Sequence, residues 1–240
     1  MEAVLGPLFP LAFVVFFVLE RLARRRPFSG RWAGVGVLFF LAGAVVNGLV
    51  PGLVGPVLAR LAPVDLSGLG LVGGVPLAFL ATTFADYWLH RAMHASAVLW
   101  RWTHQLHHAA ERVDIPGFAY SHPFELVLSV LLATVVGSVL GVSADAVALA
   151  GFLFFLTQLF LHTDIRTPTW IGVLLQRPEA HRLHHTREVH AYNYGFPLWD
   201  ALFGTRRNPV AWDETYGFWD GASSRMGAML LGRDVAKPAA

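Results

Sequence analysis

Residues 69–94 read LGLVGGVPLAFLATTFADYWLHRAMH, an apolar run that ends in two histidines spaced four residues apart. About 20 mainly apolar residues are enough for a helix to cross the hydrocarbon core of a bilayer. On such a helix His90 and His94 share one face, because residues i and i+4 are neighbours on a helix surface. Imidazole is the commonest metal ligand among protein side chains. The stretch therefore predicts a membrane-spanning helix that presents metal ligands at its end.

The composition of the whole chain agrees with a membrane protein. Of its 240 residues, 55% are hydrophobic and only 14% are charged, whereas soluble domains are about 25% charged. The net charge is +2 and the arginines are scattered among apolar runs, so no nucleic acid partner is expected. The chain has no cysteine, which excludes disulfides, iron–sulfur clusters and thiolate-ligated haem in this chain. Any metal must be held by nitrogen and oxygen ligands, and any electrons must come from another molecule.

Five apolar runs are long enough to be interpreted as membrane helices. They cover residues 3–19, 33–50, 69–89, 124–141 and 145–162. Residues 51–63 are interrupted by prolines and glycines, which predicts a re-entrant or interfacial stretch. The first run precedes its arginines, the reverse of the order in a signal peptide, and is interpreted as a retained membrane helix.

Arginine predicts the orientation of these runs. The loop from Glu20 to Trp32 carries five arginines, and such loops stay on the cytoplasmic side. Threading the chain from there places every histidine at a cytoplasmic helix end and leaves Arg60 as the only basic residue on the opposite side. We therefore predict an all-α integral membrane protein of a bacterial inner membrane, with four to five transmembrane or re-entrant helices and a cytoplasmic histidine-rich helical cap. Residues 1–240 are interpreted as one membrane domain, made of N-terminal transmembrane helices (1–83), a histidine-box region (84–206) and a cytoplasmic C-terminal tail (207–240).

The eleven histidines are grouped, and none lies in the first 89 residues. Two triplets follow the spacing His-x2-His-His, so each triplet lies on one face if it is helical. The triplets are His104, His107 and His108, and His181, His184 and His185. His162 ends the fifth apolar run, and His122 precedes the fourth. Eight to ten imidazoles are more than one metal ion can hold, so the pattern predicts a two-metal centre.

The motifs around these histidines resemble those of the fatty acid hydroxylase/sterol desaturase superfamily. The matching segments are DYWLHRAMH (86–94), LWRWTHQLHH (99–108), SHPFE (121–125), LHTD (161–164), PEAHRLHH (178–185), NYG (193–195) and LWDALFGT (198–205). The resemblance covers about residues 84–206. It implies an integral membrane oxidoreductase whose cytoplasm-facing di-iron centre uses O2 and two electrons to hydroxylate or desaturate a lipid.

By position, the resemblance implies ten metal ligands. They are His90, His94, His104, His107, His108, His122, His162, His181, His184 and His185. His190 matches no motif and is expected at the surface. Four further residues adjoin ligands and are expected either to orient them or to cap helices and solvate loops: Asp86, Glu125, Asp164 and Asn193.

The resemblance also implies two partners, a membrane lipid substrate and a separate NAD(P)H-linked electron donor. The chain departs from the family pattern at Ala201, where the family has an arginine after the Trp-Asp pair. This departure weakens the transfer of any subfamily's substrate. Aromatic residues near the boxes fit either a substrate channel or an interfacial belt: Trp88, Trp100, Trp102, Tyr192 and Trp199.

Two alternatives use the same histidines. A membrane metal-binding or metal-transport protein without redox catalysis is expected to carry charged residues inside its spans, whereas these spans hold only mild polar residues such as Asn47, Thr134 and Gln158. A haem protein uses one or two axial histidines per haem, which does not match triplets at helix ends.

Overall fold

The computed structural model describes residues 2–23, 29–60, 62–187, 189–211 and 215–237. These residues form helices and loops, with one isolated β-bridge between Thr186 and Tyr216. The α-helices in chain order are α1 (Glu2–Leu5), α2 (Leu8–Ala23), α3 (Gly30–Arg60), α4 (Gly70–Ala95), α5 (Ala97–Leu99), α6 (Gln105–His108), α7 (Ile115–Ala119), α8 (Pro123–Leu140), α9 (Ala144–Leu161), α10 (Pro178–His185), α11 (Pro197–Leu202) and α12 (Met226–Leu230). A π-helical turn, Trp100–His104, joins α5 to α6, and short 3-10 helices cover Ser67–Leu69, Thr169–Val173 and Ala222–Arg225. The prediction of an all-α fold is confirmed.

Four helical segments within the described residues are long and apolar enough to cross a membrane. They are Gly30–Arg60, Ser67–Ala95, Pro123–Leu140 and Ala144–Leu161, and they correspond to the last four predicted runs. The first predicted run is divided between α1 and the 16-residue α2, so it is not among the four. Helix α2 packs instead beside α7 and α9.

Helix α3 continues through the stretch predicted to be re-entrant or interfacial. It passes Pro51 and Pro56 and ends at Arg60, so a separate segment at 51–63 is wrong for the residues up to that point. A proline removes one helical hydrogen-bond donor, and membrane helices tolerate this loss through local adjustment.

The packing of α4, α8 and α9 brings the histidine-bearing ends together. A Cβ on Gly74, near the start of α4, would lie 2.9 Å from the Cβ of Ala146, near the start of α9, and Ala78, one turn further along α4, belongs to the same buried cluster as Ala146 and Ala150. Helices α4 and α9 therefore run in the same direction. Gly137 near the end of α8 meets Val147 near the start of α9, so α8 runs in the opposite direction. Residues 90–123 and the chain after α9 consequently meet on one side as a cap.

The described C-terminal residues, predicted as a cytoplasmic tail of the single membrane domain, pack into this cap. The buried Gln105 of α6 donates to the Arg233 carbonyl at 2.9 Å and accepts from the Val235 amide at 2.7 Å. Met229 of α12 is fully buried, and the Tyr120 hydroxyl donates to the Ser223 carbonyl at 2.8 Å. Residues 215–237 thus pack against the segment that carries His104, His107 and His108.

Candidate metal centre

The structure gathers nine histidines into two adjoining groups. The five-histidine group contains His90, His94, His104, His108 and His184, and the four-histidine group contains His107, His162, His181 and His185. Within each group the candidate ligand atoms all lie within 4.8 Å of one another. The rings of His108 and His185 stack with their centroids 4.2 Å apart, so the two groups share a border.

Four helical elements position these side chains. Helix α4 supplies His90 and His94 from its last turns. Helix α10 supplies the triplet of His181, His184 and His185, and it begins at Pro178, because proline is favoured in the first turn of a helix. His104 closes the π-helical turn before α6, a helical form that is frequent at functional sites. His162 directly follows α9 as its C-cap residue. The four elements meet because α4 and α9 end at the same level.

The Nε2 atoms of each group face one another at short distances. His94 Nε2 lies 3.2 Å from His90 Nε2 and 3.1 Å from His184 Nε2, and His162 Nε2 lies 3.1 Å from His107 Nε2. Two imidazole nitrogens bound at right angles to one metal, each at about 2.1 Å, are separated by about 3.0 Å. The donor set and its spacing therefore fit a metal ion in each group.

Backbone carbonyls fix the tautomer of three of these histidines. A carbonyl can only accept, so an Nδ1 atom that bonds to one carries the proton, and the Nε2 lone pair is free for a metal. The pairs are His90 with the Tyr194 carbonyl, His162 with the Gln158 carbonyl at 2.8 Å, and His184 with the Tyr192 carbonyl at 2.7 Å. The free lone pairs point into the two groups.

Burial keeps the imidazoles neutral. It lowers the pKa of His104 to about 3 and that of His107 to about 4, mainly because the charged form would lose its hydration. The same loss of hydration, together with repulsion from neighbouring imidazoles, lowers the pKa of His181 and His185 well below the usual value. Neutral imidazole is the form that binds a metal.

The four residues predicted to adjoin the ligands take different positions. Glu125, in the first turn of α8, accepts from His104 Nδ1 at 2.6 Å. Asp164 forms an ion pair with Arg182, with 2.7 Å between Oδ1 and Nη2, and this contact does not involve a histidine. Asp86 lies one turn before His90, with Oδ2 3.9 Å from where a Cβ on Gly195 would be.

Asn193 acts on the ligands through the backbone. It has a left-handed conformation, with φ 56°, and its side chain donates to the Ala180 carbonyl at 2.8 Å and accepts from the Arg207 amide at 2.7 Å. These contacts hold the segment whose carbonyls, at Tyr192 and Tyr194, orient two ligands. The Asn-Tyr-Gly motif marked this segment in the sequence. The motif did not indicate that backbone carbonyls of the segment bond to the histidines.

His122 is not brought into either group. It is the N-cap residue of α8, where its Nδ1 accepts from the Phe124 amide at 3.1 Å, and its Nε2 lies 3.4 Å from the Leu230 carbonyl. Its ring is thus engaged with the helix start and the C-terminal residues. His190, expected at the surface, lies beside the five-histidine group, with its ring centroid 4.6 Å from that of His108.

Sequence reasoning missed the residue that joins the ligand-bearing segments. Arg182 is buried between His181 and His184, and its Nη2 donates to Asp164 Oδ1 at 2.7 Å and to the carbonyls of Val113 and Thr163 at 3.0 and 2.9 Å. One guanidinium thereby ties α10 to the segments on either side. The signal in the sequence was this arginine within the motif PEAHRLHH (178–185), between the histidines of the last triplet.

Trp100 also belongs to the site. Its ring centroid lies 5.2 Å from that of His94 and 5.4 Å from that of His108. The Trp100 ring therefore lies directly against the five-histidine group.

The fold and the site define a helical membrane protein whose joined helix ends present two adjoining histidine groups, each of which could hold a metal ion. The sequence profile of the fatty acid hydroxylase family matches residues 75–205, more than half of the chain, and the protein belongs to this family.

Three relatives illustrate the range of this family. The chain is 27% identical over 134 residues to alkylglycerol monooxygenase of Danio rerio, covering 54% of this chain and 29% of the relative. It is 30% identical over 141 residues to very-long-chain aldehyde decarbonylase GL1-9 of Oryza sativa subsp. indica, covering 54% and 52%. It is 29% identical over 143 residues to ornithine lipid hydroxylase OlsE of Rhizobium tropici, covering 56% and 42%. The chain thus spans about half or less of the length of these relatives. No solved structure matches it significantly.

Proposed function

We propose that this protein is a membrane-bound di-iron oxygenase that hydroxylates or desaturates a lipid C–H bond, using O2 and two electrons from a separate NAD(P)H-linked donor. The observation that carries the proposal is the pair of adjoining imidazole groups with Nε2 atoms about 3 Å apart. Imidazole suits iron, zinc, copper and nickel alike, and membership of the fatty acid hydroxylase family favours iron. The relatives named as a monooxygenase and as a lipid hydroxylase support O2 and a lipid as co-substrates.

The chain's own residues hold and orient the metals. The five-histidine and four-histidine groups would each bind one iron, and the Nδ1 partners described above keep the rings turned inward. When bound, the two irons supply the reduction of O2 that the oxidation of an unactivated C–H bond requires. The chain has no cysteine that could hold an iron–sulfur cluster, which supports an electron supply from another protein or a diffusible donor. His122 is left out of this ligand set.

The substrate is proposed to approach from the side of the five-histidine group. His90 and His94 are partly exposed, whereas the other seven histidines of the two groups are buried. Both lie at the end of a membrane-spanning helix, so a lipid could keep its apolar chain in the bilayer while one carbon reaches the metals. The distribution of arginine supports a cytoplasmic position for this end of the protein.

The alternative is a metal-binding or metal-transport protein without redox catalysis. Metal analysis of the purified protein distinguishes the two proposals. The oxygenase requires two irons per chain without a haem absorption band, and His107→Ala combined with His184→Ala should remove both because one ligand is lost from each group. His122→Ala is the matched control, since it removes a histidine outside both groups, and it should retain the metal. Iron-free protein, or metal that survives the double substitution, would contradict the proposal.

Product analysis tests the reaction. Lipid extracts of expressing and non-expressing cells are compared for mass shifts of about +16 for an alcohol or about −2 for an alkene. His104→Ala should abolish the shift while the protein stays in the membrane fraction. A shift that persists in this variant would contradict the role of His104 as a ligand.

A further inference from the structure

Helix α11 has an inverted distribution of polar and apolar residues. Its only charged residue, Asp200, is 1% exposed and accepts from the amides of Tyr194 and Gly195 at 2.9 and 3.1 Å. The outward residues are apolar: Leu198 is 48% exposed, Leu202 is 66% exposed, and Ala201 is exposed between them. These three residues lie on one helix face. A charge buried inside and leucines outside are unfavourable in water but suit a lipid environment.

The contacts of this segment show how deep it lies beside α4. The ring of Phe196, which precedes α11, packs edge-on against Phe79 with centroids 5.4 Å apart. Trp199 Nε1 donates to Thr83 Oγ1 at 3.0 Å. Phe79 precedes His90 by 11 residues along α4, which corresponds to about 16 Å at 1.5 Å per residue.

The packing of α4 against α9 shows at which depth in the membrane Phe79 lies. Because Gly74 lies level with Ala146, Phe79 lies level with about residue 151, near the middle of α9. Helix α9 has 18 residues, a length of about 27 Å, so it spans the roughly 30 Å hydrocarbon core only if nearly all of it is immersed. Residues that pack at the level of its middle are therefore inside the bilayer.

The immersed segment is continuous with the lipid-facing surface of α4 and with the metal centre. Phe203, directly after α11, packs on Trp88 with ring centroids 5.0 Å apart, and Trp88 is 40% exposed. On the other side, the Tyr194 carbonyl accepts from His90 Nδ1. Phe196 follows Tyr194 after a single residue, Gly195.

We propose that residues 196–203 form a membrane-embedded segment whose outer face, Leu198, Ala201 and Leu202, contacts the acyl chains of the leaflet on the histidine side. The segment belongs to the region after α9, where the residues that the structure describes include no further helix long enough to span a membrane. The occupant of the apolar face is lipid, because the face continues the exposed surface of a spanning helix at a depth that water does not reach.

Spin labels on single cysteines test this placement directly, because the chain has no cysteine of its own. Leu202→Cys carries the test label, Leu153→Cys on α9 is the lipid reference, and Lys237→Cys is the water reference. The labelled proteins are reconstituted in phosphatidylethanolamine–phosphatidylglycerol vesicles. Collision rates with O2, which concentrates in the bilayer, are then compared with those of a water-soluble nickel chelate.

The label at position 202 should show a several-fold higher ratio of O2 to chelate collisions than the label at 237, and a lower ratio than the label at 153, because the neighbouring Phe203 packs on Trp88 near the histidine end of α4. A ratio at 202 equal to that at 237 would overturn the proposal, and so would a water-like ratio at 153, because the depth argument depends on α9. Leu198→Cys, on the same face and nearer the Phe196–Phe79 contact, provides an independent second position and must show a ratio at least as high as that at 202. None of these readouts depends on iron or on activity.

Discussion

The Glu125 carboxylate accepts the Nδ1–H of His104 at 2.6 Å, which links the first turn of a membrane-spanning helix to the five-histidine group. A carboxylate that accepts from a ligating histidine fixes the orientation of the ring and strengthens its Nε2 as a donor. The position also explains why the Ser-His-Pro-Phe-Glu motif contributes to the centre although its histidine does not enter either group.

Replacing Glu125 should weaken metal binding without preventing membrane insertion. We expect Glu125→Leu to lower iron affinity or turnover by about 10- to 100-fold, the range found for such outer partners. Glu125→Gln should recover part of this loss, because the amide oxygen can still accept the hydrogen bond. Iron content after dialysis against a graded chelator measures the effect. Asp220→Asn, at a side chain that is 98% exposed, is the control and should match the wild type.

Loss of the Arg182 guanidinium should destabilise the cap. Arg182→Met leaves the Asp164 carboxylate without the cation that lies 2.7 Å away in a buried site, and breaking a buried pair costs about 3–5 kcal/mol. Thermal unfolding in detergent measures the change. Arg187→Met removes a pair with the exposed Asp220 and should cost no more than about 1 kcal/mol. Equal effects of the two substitutions would contradict the role of Arg182 as the link between ligand-bearing segments.

Two glycines of α3 should respond differently to the same substitution. A Cβ at Gly36 would lie 2.6 Å from the backbone Cα of Pro116 in α7, whereas a Cβ at Gly34 has nothing within 4 Å. Gly36→Ala should therefore push α3 away from α7 and destabilise the protein by about 1–3 kcal/mol. Gly34→Ala should be neutral or stabilising by up to about 1 kcal/mol, because alanine favours the helix. The unfolding temperatures of the two variants test this prediction. A larger decrease for Gly34→Ala than for Gly36→Ala would contradict the packing of α3 against α7.

The stability of the metal-free protein should fall in acid. The pKa of His104 is lowered to about 3 and that of His107 to about 4 in the folded chain, whereas an unfolded histidine titrates near pH 6.5. Between these values the two histidines bind more protons in the unfolded chain, so their contribution to the free energy of unfolding decreases as the pH falls below about 6.5 and is constant above it. Unfolding of the chelator-treated protein at about pH 5 and about pH 8 measures this difference. Substituting both histidines with asparagine should reduce the dependence but not abolish it, because His181 and His185 also have lowered pKa values, and an unchanged slope would contradict the prediction.

The sequence by itself determined the helical class, the four helices long enough to span a membrane and the nine histidines that enter the two groups. It could do so because these features depend on local properties. Apolar length is set by bilayer thickness, and the spacing of His104, His107 and His108 places them on one face wherever the helix lies.

Only the tertiary structure decided which histidines share a metal and what orients them. His107 and His108 are adjacent in sequence yet belong to different groups, because neighbouring residues on a helix point in different directions. His122 engages a helix start, and Arg182 joins segments that are far apart in the chain. Helix α11 resembles a short cap helix in sequence, and only its packing against α4 gives its depth. Such relationships depend on the register between packed helices, which a local pattern does not encode.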